Sequence, residues 1–131
     1  MQYYFSTTVS MPFDTAIERT IATLKNRGFG VLTEIDVKDT LKKKIGIDFR
    51  PYHILGACNP QMAHKALLAE DKIGTMLPCN VIVQQKSDGK IEVSAVDPVA
   101  SMLAIDNPEL GQIAETVRKL LMEVIADLAT V

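Results

Sequence analysis

Nowhere does this 131-residue chain carry the roughly 18 to 20 consecutive apolar residues that a membrane-spanning helix requires. Its opening residues, Met1-Gln2-Tyr3-Tyr4-Phe5-Ser6-Thr7-Thr8, lack the basic stretch and apolar core of a secretory leader, so no export is expected. There are only two cysteines and two histidines, with neither a CxxC nor an HxxxH spacing. A dedicated metal site is therefore not favoured, and Cys58 and Cys79 stand only as weak metal candidates. Gly28-Phe29-Gly30 lacks the rest of a dinucleotide fingerprint and follows a helical pattern rather than a strand, so no phosphate loop is read there. Positive charge is also short: 14 Lys and Arg stand against 16 Asp and Glu, for a net charge of −2. That balance excludes the broad positive field of a sequence-independent nucleic-acid binder. The longest basic run, Lys42-Lys43-Lys44, reads as a solvated helix face. What remains is a cytoplasmic protein with free thiols and no membrane or nucleic-acid partner.

Hydrophobic residues make up 47% of the chain and charged residues 23%, an ordinary balance for a globular domain that can build its own core. With no repeat, linker or low-complexity tract, residues 1–131 read as a single domain. A first strand is expected over 2–9, rich in Tyr, Phe, Thr and Val. A helix follows from Ser10-Met11-Pro12, with Phe13, Ile17, Ile21 and Leu24 as its apolar stripe and Gly28 as its left-handed stop. A second strand runs from Phe29 to Ile35, with Phe29, Val31 and Ile35 on one side. The pattern Val37, Leu41, Ile45 predicts a short surface helix, and Arg50 to Cys58 a third strand. Residues 60–70 form another short helix. Two further strands, Cys79 to Gln85 and Lys90 to Val96, are joined by Lys86-Ser87-Asp88-Gly89, whose Asp-Gly predicts an antiparallel hairpin. The final helix is marked by Leu110, Ile113, Ala114, Val117, Leu120, Leu121, Val124, Ile125 and Leu128 at three-four spacing. So long a stripe is expected to cover one face of the sheet beside the first helix.

Asn59-Pro60, Asp97-Pro98 and Asn107-Pro108 each set an N-capping side chain directly before a proline. The cap satisfies a free helix N–H, and proline at the first helical position has none to lose. Asn59 is thus explained as a cap before any chemistry is invoked. Cys58 then falls just before a helix N-terminus, where the dipole favours a thiolate; its plain alternative is a small buried residue closing a strand. Cys79 alternates with Val81 and Val83 and reads, taken alone, as a buried structural thiol. Cys58-Asn59 ends one strand and Cys79-Asn80 opens another. If those strands are neighbours, both sulfurs reach one end of the sheet, which would permit a disulfide, a shared metal or a thiol-lined pocket. His53 alternates with Leu55 and Ala57, away from the Cys58 side, and His64 lies opposite Ala63, Ala66 and Leu67, toward solvent. Neither is placed to serve a Cys-His enzyme.

Tyr52-His53-Ile54-Leu55-Gly56-Ala57-Cys58-Asn59-Pro60 and Ile73-Gly74-Thr75-Met76-Leu77-Pro78-Cys79-Asn80-Val81 resemble the two signature blocks of the domain of unknown function 302 (DUF 302) family. The likeness extends over most of the chain, including the Phe13 helix and Gly28-Phe29-Gly30-Val31. It implies a two-layer α+β fold similar to that of the TATA-binding protein. The implied sheet is mainly antiparallel, with two long helices on one face, in the order β-α-β(4)-α with short helical insertions. It implies no activity and no cofactor, and a shared fold does not carry nucleic-acid binding with it. The leading expectation is a small-ligand-binding or thiol-sensing module. Its site would be drawn from Tyr52, Cys58, Asn59, Met76, Cys79 and Asn80, with Met76 and Met102 as soft thioether surface. Two alternatives stand beside it: an enzyme with Cys58 as nucleophile, and a structural homodimer without a ligand.

Overall fold

The computed structural model describes residues 2–130. In chain order the elements are β1 (Tyr4–Val9), α1 (Phe13–Asn26), β2 (Gly30–Asp36), α2 (Val37–Ile45), β3 (Tyr52–Cys58), α3 (Pro60–Ala69), a 3-10 turn (Ile73–Met76), β4 (Cys79–Gln85), β5 (Ile91–Val96), α4 (Pro98–Ser101) and α5 (Pro108–Ala129). The strands form one five-stranded sheet in the order β1-β5-β4-β3-β2, and every neighbouring pair is antiparallel. The result is a two-layer α+β fold. β1 and β5 pair along the whole of β1, and α5, which spans 22 residues, packs against both.

The core lies between the sheet and the paired helices α1 and α5. Leu55, Val81, Val83, Val93 and Ala95 form its floor, and Leu24, Leu121, Val124 and Leu128 its roof. The buried residues of α5 follow the apolar stripe read from the sequence. In α1 the buried line is rotated: Ala16, Thr20, Thr23 and Leu24 are innermost, while Phe13, Ile17 and Ile21 flank it, partly buried. Small side chains on the inner line let the helix approach closely. The Thr20 and Thr23 hydroxyls are satisfied within the helix, donating to the Ala16 and Arg19 carbonyls at 2.7 Å. Arg27 at the end of α1 holds Asp127 of α5 through two nitrogens, at 2.8 and 3.0 Å, and also reaches Glu123 at 3.0 Å.

β2 departs from the alternation expected of it. A bulge between Val31 and Thr33 shifts its register on β3, so Val31 stays opposite core-facing Ala57 while Ile35 pairs with Ile54 and is 46% exposed. One extra residue in a strand moves every later side chain to the other face. Phe29 and Ile35 therefore do not share a side; Phe29 is buried just before the strand. The hairpin between β4 and β5 closes as expected, with Gly89 at φ +82° and the Lys86 amide donating to the Lys90 carbonyl at 2.8 Å.

Candidate functional site

Three short elements inserted around the sheet, α3, the 3-10 turn and α4, gather at one end of the molecule and enclose a hollow. Their own small core is separate from the main one: Ala66, Ile73 and Leu110 are buried together, with Leu77, Met102, Ile105 and Ile113 packed around them. Two of these insertions, α3 and α4, and the long helix α5 each start from a side-chain cap. Asn59 Oδ1 accepts from the Met62 amide at 3.2 Å, and Asp97 Oδ1 from the Val99 amide at 3.0 Å. Asn107 Oδ1 takes the Glu109 amide at 3.1 Å, while its Nδ2 donates to the Ala69 carbonyl at 2.9 Å and ties α3 to the start of α5. Proline occupies the first turn of all three helices.

The hollow has a volume of about 330 Å³. Ala57 and Cys79 form its floor, Phe29 and Leu32 one wall, Met62, Ala63, Ala66 and Leu67 of α3 the roof, and Leu77, Pro78, Pro98, Met102, Ile113, Ala114 and Val117 the remaining sides. The space exists because Ala57, Ala63, Ala66, Gly74 and Ala114 stand where larger residues would fill it. Apart from the thiols, Asn59 is the one polar side chain in this wall, and its carbonyl oxygen is already engaged by the helix it caps.

Both cysteines reach this hollow. β3 and β4 are neighbours with Ala57 opposite Cys79, so Cys58 at the end of β3 lies diagonally across from Cys79 at the start of β4. Both are free thiols, Cys79 buried and Cys58 half-buried. Burial pushes the Cys79 thiol up to about 11, and the nearness of Cys58 adds to the shift. Cys79 is thus a protonated, neutral group in the floor at physiological pH. Cys58 immediately precedes the Asn59 cap, at the N-terminal end of α3.

The other residues singled out from the sequence are placed elsewhere. Asn80 and Tyr52 project from the opposite face of the sheet, because each is out of phase with the core-facing positions of its strand. There they line a second hollow of about 470 Å³ with Tyr3, Tyr4, Ile82 and Gln84. Tyr52 is stacked under the Arg50 guanidinium, 5.4 Å from its ring centroid. Met76 ends the 3-10 turn, 43% exposed, and is not part of the wall. Met102 is. His53 faces the helices, 6.5 Å from the Phe13 ring and 3.1 Å from Glu34 Oε1, and His64 is exposed on α3. Among the described residues no three His, Cys, Asp or Glu side chains gather as a metal would need.

The alanines of α3 and α5, Gly74 and Pro78 are the wall residues that sequence reasoning missed. One signal was available: the first signature block contains Gly56 and the second Pro78, and these two touch. A Cβ at Gly56 would lie 2.8 Å from Pro78 Cγ and collide with the Thr33 hydroxyl. The two blocks are therefore distant in sequence and joined in space, back to back with the hollow.

Among the described residues no helix is long and apolar enough to cross a membrane. No curated protein matches the chain. The crystal structure of an uncharacterized conserved protein DUF302 from Bacillus stearothermophilus superposes with a TM-score of 0.90 at 32% identity, over 98% of this chain and 99% of that one. The model of the domain of unknown function DUF302 matches residues 5–128, and the chain belongs to that family.

Proposed function

We propose that the protein binds a small, predominantly apolar molecule in the hollow roofed by α3, with the Cys58 and Cys79 thiols as its soft polar contacts. The observation that carries this reading is the apolar hollow itself, open on one side. Three insertions, two of them started by a side-chain cap, border a space of about 330 Å³ lined by hydrocarbon, two sulfurs and the Asn59 side chain. Small-molecule sites take this form, at roughly 300 to 1,000 Å³ with few polar groups. A space left by accident of packing would be expected to collapse or fill, since cavities cost stability.

The test is binding of N-phenyl-1-naphthylamine, followed by its fluorescence. The native chain is expected to bind it, and Ala63→Phe, which fills the roof from a partly exposed helix position, to lose at least tenfold in affinity while retaining its circular dichroism. Absence of binding to the native chain, or undiminished binding to the filled variant, would overturn the reading. Native mass spectrometry of protein purified without chelators offers an independent check, through a retained mass on the native chain that the filled variant lacks.

The diagonal thiol pair favours a second reading, in which Cys58 senses or reacts with a soft electrophile admitted to the same space. Its half-buried position at the N-terminal end of α3 sets it apart from buried Cys79. Iodoacetamide should then label Cys58 well before Cys79, and bound N-phenyl-1-naphthylamine should slow that labelling. Equal or absent labelling of both thiols in the folded protein counts against it. Two reduced thiols sharing one hollow suit a reducing compartment such as the cytoplasm.

A further inference from the structure

We propose that the sheet face turned away from α1 and α5 binds a neutral saccharide, held between Tyr4 and Tyr52 in the hollow of about 470 Å³. The proposal is independent of the hollow under α3. All three tyrosines of the chain, Tyr3, Tyr4 and Tyr52, line this one space, although Tyr52 is far from the others in sequence. The phenylalanines are sorted the other way: Phe29 is buried in the core between sheet and helices, and Phe5 and Phe13 pack against it. Strands favour Phe and Tyr alike, so strand propensity does not account for the sorting. A phenol offers what the core has no use for, an apolar ring face with a polar tip.

Register fixes the floor between the rings. Tyr4 stands opposite Val96, Ser6 opposite Ser94, and Ser94 opposite Ile82. Two residues along, Glu92 pairs with Gln84 and Gln84 with Tyr52. Tyr4 and Tyr52 are thus diagonal corners of a patch about 14 Å wide from β1 to β3 at the usual strand spacing. Ser94 and Gln84 are only 7% and 9% exposed, although both are polar and out of phase with the core positions of their strands. Their bonds leave capacity to spare. Ser94 Oγ shares one hydrogen bond of 2.6 Å with Ser6 Oγ. Gln84 Oε1 accepts from Arg50 Nε at 2.9 Å, and its Nε2 donates to Glu92 Oε1 at 3.2 Å. A primary amide has two donors and two lone pairs, so Gln84 is held in place with one of each still to offer. Asn80 adds a second amide, exposed at the hollow.

Charge decides which ligand this suits. The lining carries one cation and one anion, Lys86 and Glu92, which lie 3.6 Å apart. Arg50, beside the hollow, is engaged by Gln84 and lies over the Phe49 and Tyr52 rings, 4.5 and 5.4 Å from their centroids. A phosphate or carboxylate would find no cation without a partner, which disfavours a nucleotide or an acidic peptide. A neutral sugar needs none. The C–H side of a pyranose can rest on a tyrosine ring, while its hydroxyls, each donor and acceptor, exchange hydrogen bonds with the Asn80 and Gln84 amides and the Glu92 carboxylate. A few placed polar groups set among apolar surface are the usual form of a small-molecule site of this volume.

Amide chemical-shift titrations of the native chain with maltose, cellobiose, lactose and chitobiose test the proposal. At least one of the four is expected to shift amides within 80–84 and 92–96 saturably while leaving those of α3 in place. Tyr4→Ala and Asn80→Ala, both at exposed positions, should each weaken that binding at least tenfold with an unchanged circular dichroism spectrum. Adenosine monophosphate, which has a ring to stack and a phosphate to neutralise, should shift none of these amides. The proposal is overturned if no saccharide of the four shifts them, if the shifts fall on α3 instead, or if both variants bind as the native chain does. It is overturned equally if the nucleotide binds there and the sugars do not.

Discussion

Single atoms decide much of the site. At Gly56 a methyl group would meet Pro78 Cγ at 2.8 Å and the Thr33 hydroxyl more closely still, the first on the residue just before β4 and the second within β2. Gly56→Ala should therefore destabilise the protein by about 1–3 kcal/mol, the usual range for overpacking a filled site. Urea unfolding would measure it, and adding Thr33→Ala should recover part of the loss, because it removes the nearer obstacle. The Cys79 thiol gives a pH signature. Its folded value of about 11 lies above the ordinary 9.0, so the folded protein keeps a proton that the unfolded chain surrenders. Its contribution is complete below pH 9 and is lost as pH rises through the interval from 9 to about 11. The slope of unfolding free energy between pH 8 and 11 should be steeper for the native chain than for Cys79→Ala. Equal slopes would show that the thiol ionises as freely folded as unfolded.

Among the elements, the caps were the most legible part of the sequence. Asn59, Asp97 and Asn107 all accept helix amides where Asn-Pro or Asp-Pro was read as a helix start. The reason is local: a capping side chain and a proline act on the next three residues whatever the rest of the chain does. Asn59→Ala should cost about 1 kcal/mol in thermal or urea unfolding and loosen the roof of the hollow. β2 shows where local reading stops. Nothing in Gly30-Val-Leu-Thr-Glu-Ile-Asp36 announces a bulge, which arises from pairing with β3 and reverses Ile35. The faces of Tyr52 and Asn80 were legible from the period of two, since Leu55, Ala57 and Val81 define the buried side. Grouping them with the cysteines by nearness along the chain overlooked that alternation. The walls contributed by α3, α4 and α5 were not legible, because alanines in three separate helices carry no mark of facing one another.

At the scale of the whole molecule, the described residues form two hydrophobic clusters of unequal size. The large one, between sheet and helices, takes in buried residues from β1, α1 and α5 and from β3, β4 and β5; the small one rests on Ala66, Ile73 and Leu110. Stability is rarely uniform across such a division. Backbone amides of α3 and of the 73–76 turn should exchange with deuterium at least tenfold faster than those of β4 and β5, as mass spectrometry would show. Uniform exchange across both regions would mean that the two clusters open as one unit.

The bond from Asn107 Nδ2 to the Ala69 carbonyl gives that division a practical meaning. It buttons the end of α3, whose earlier residues roof the hollow, to the beginning of α5. Undone, it frees a hinged flap at the periphery while the strands stay zipped. Opening there would then run on its own clock, far faster than denaturation, and on the binding reading proposed above an occupant would slow it.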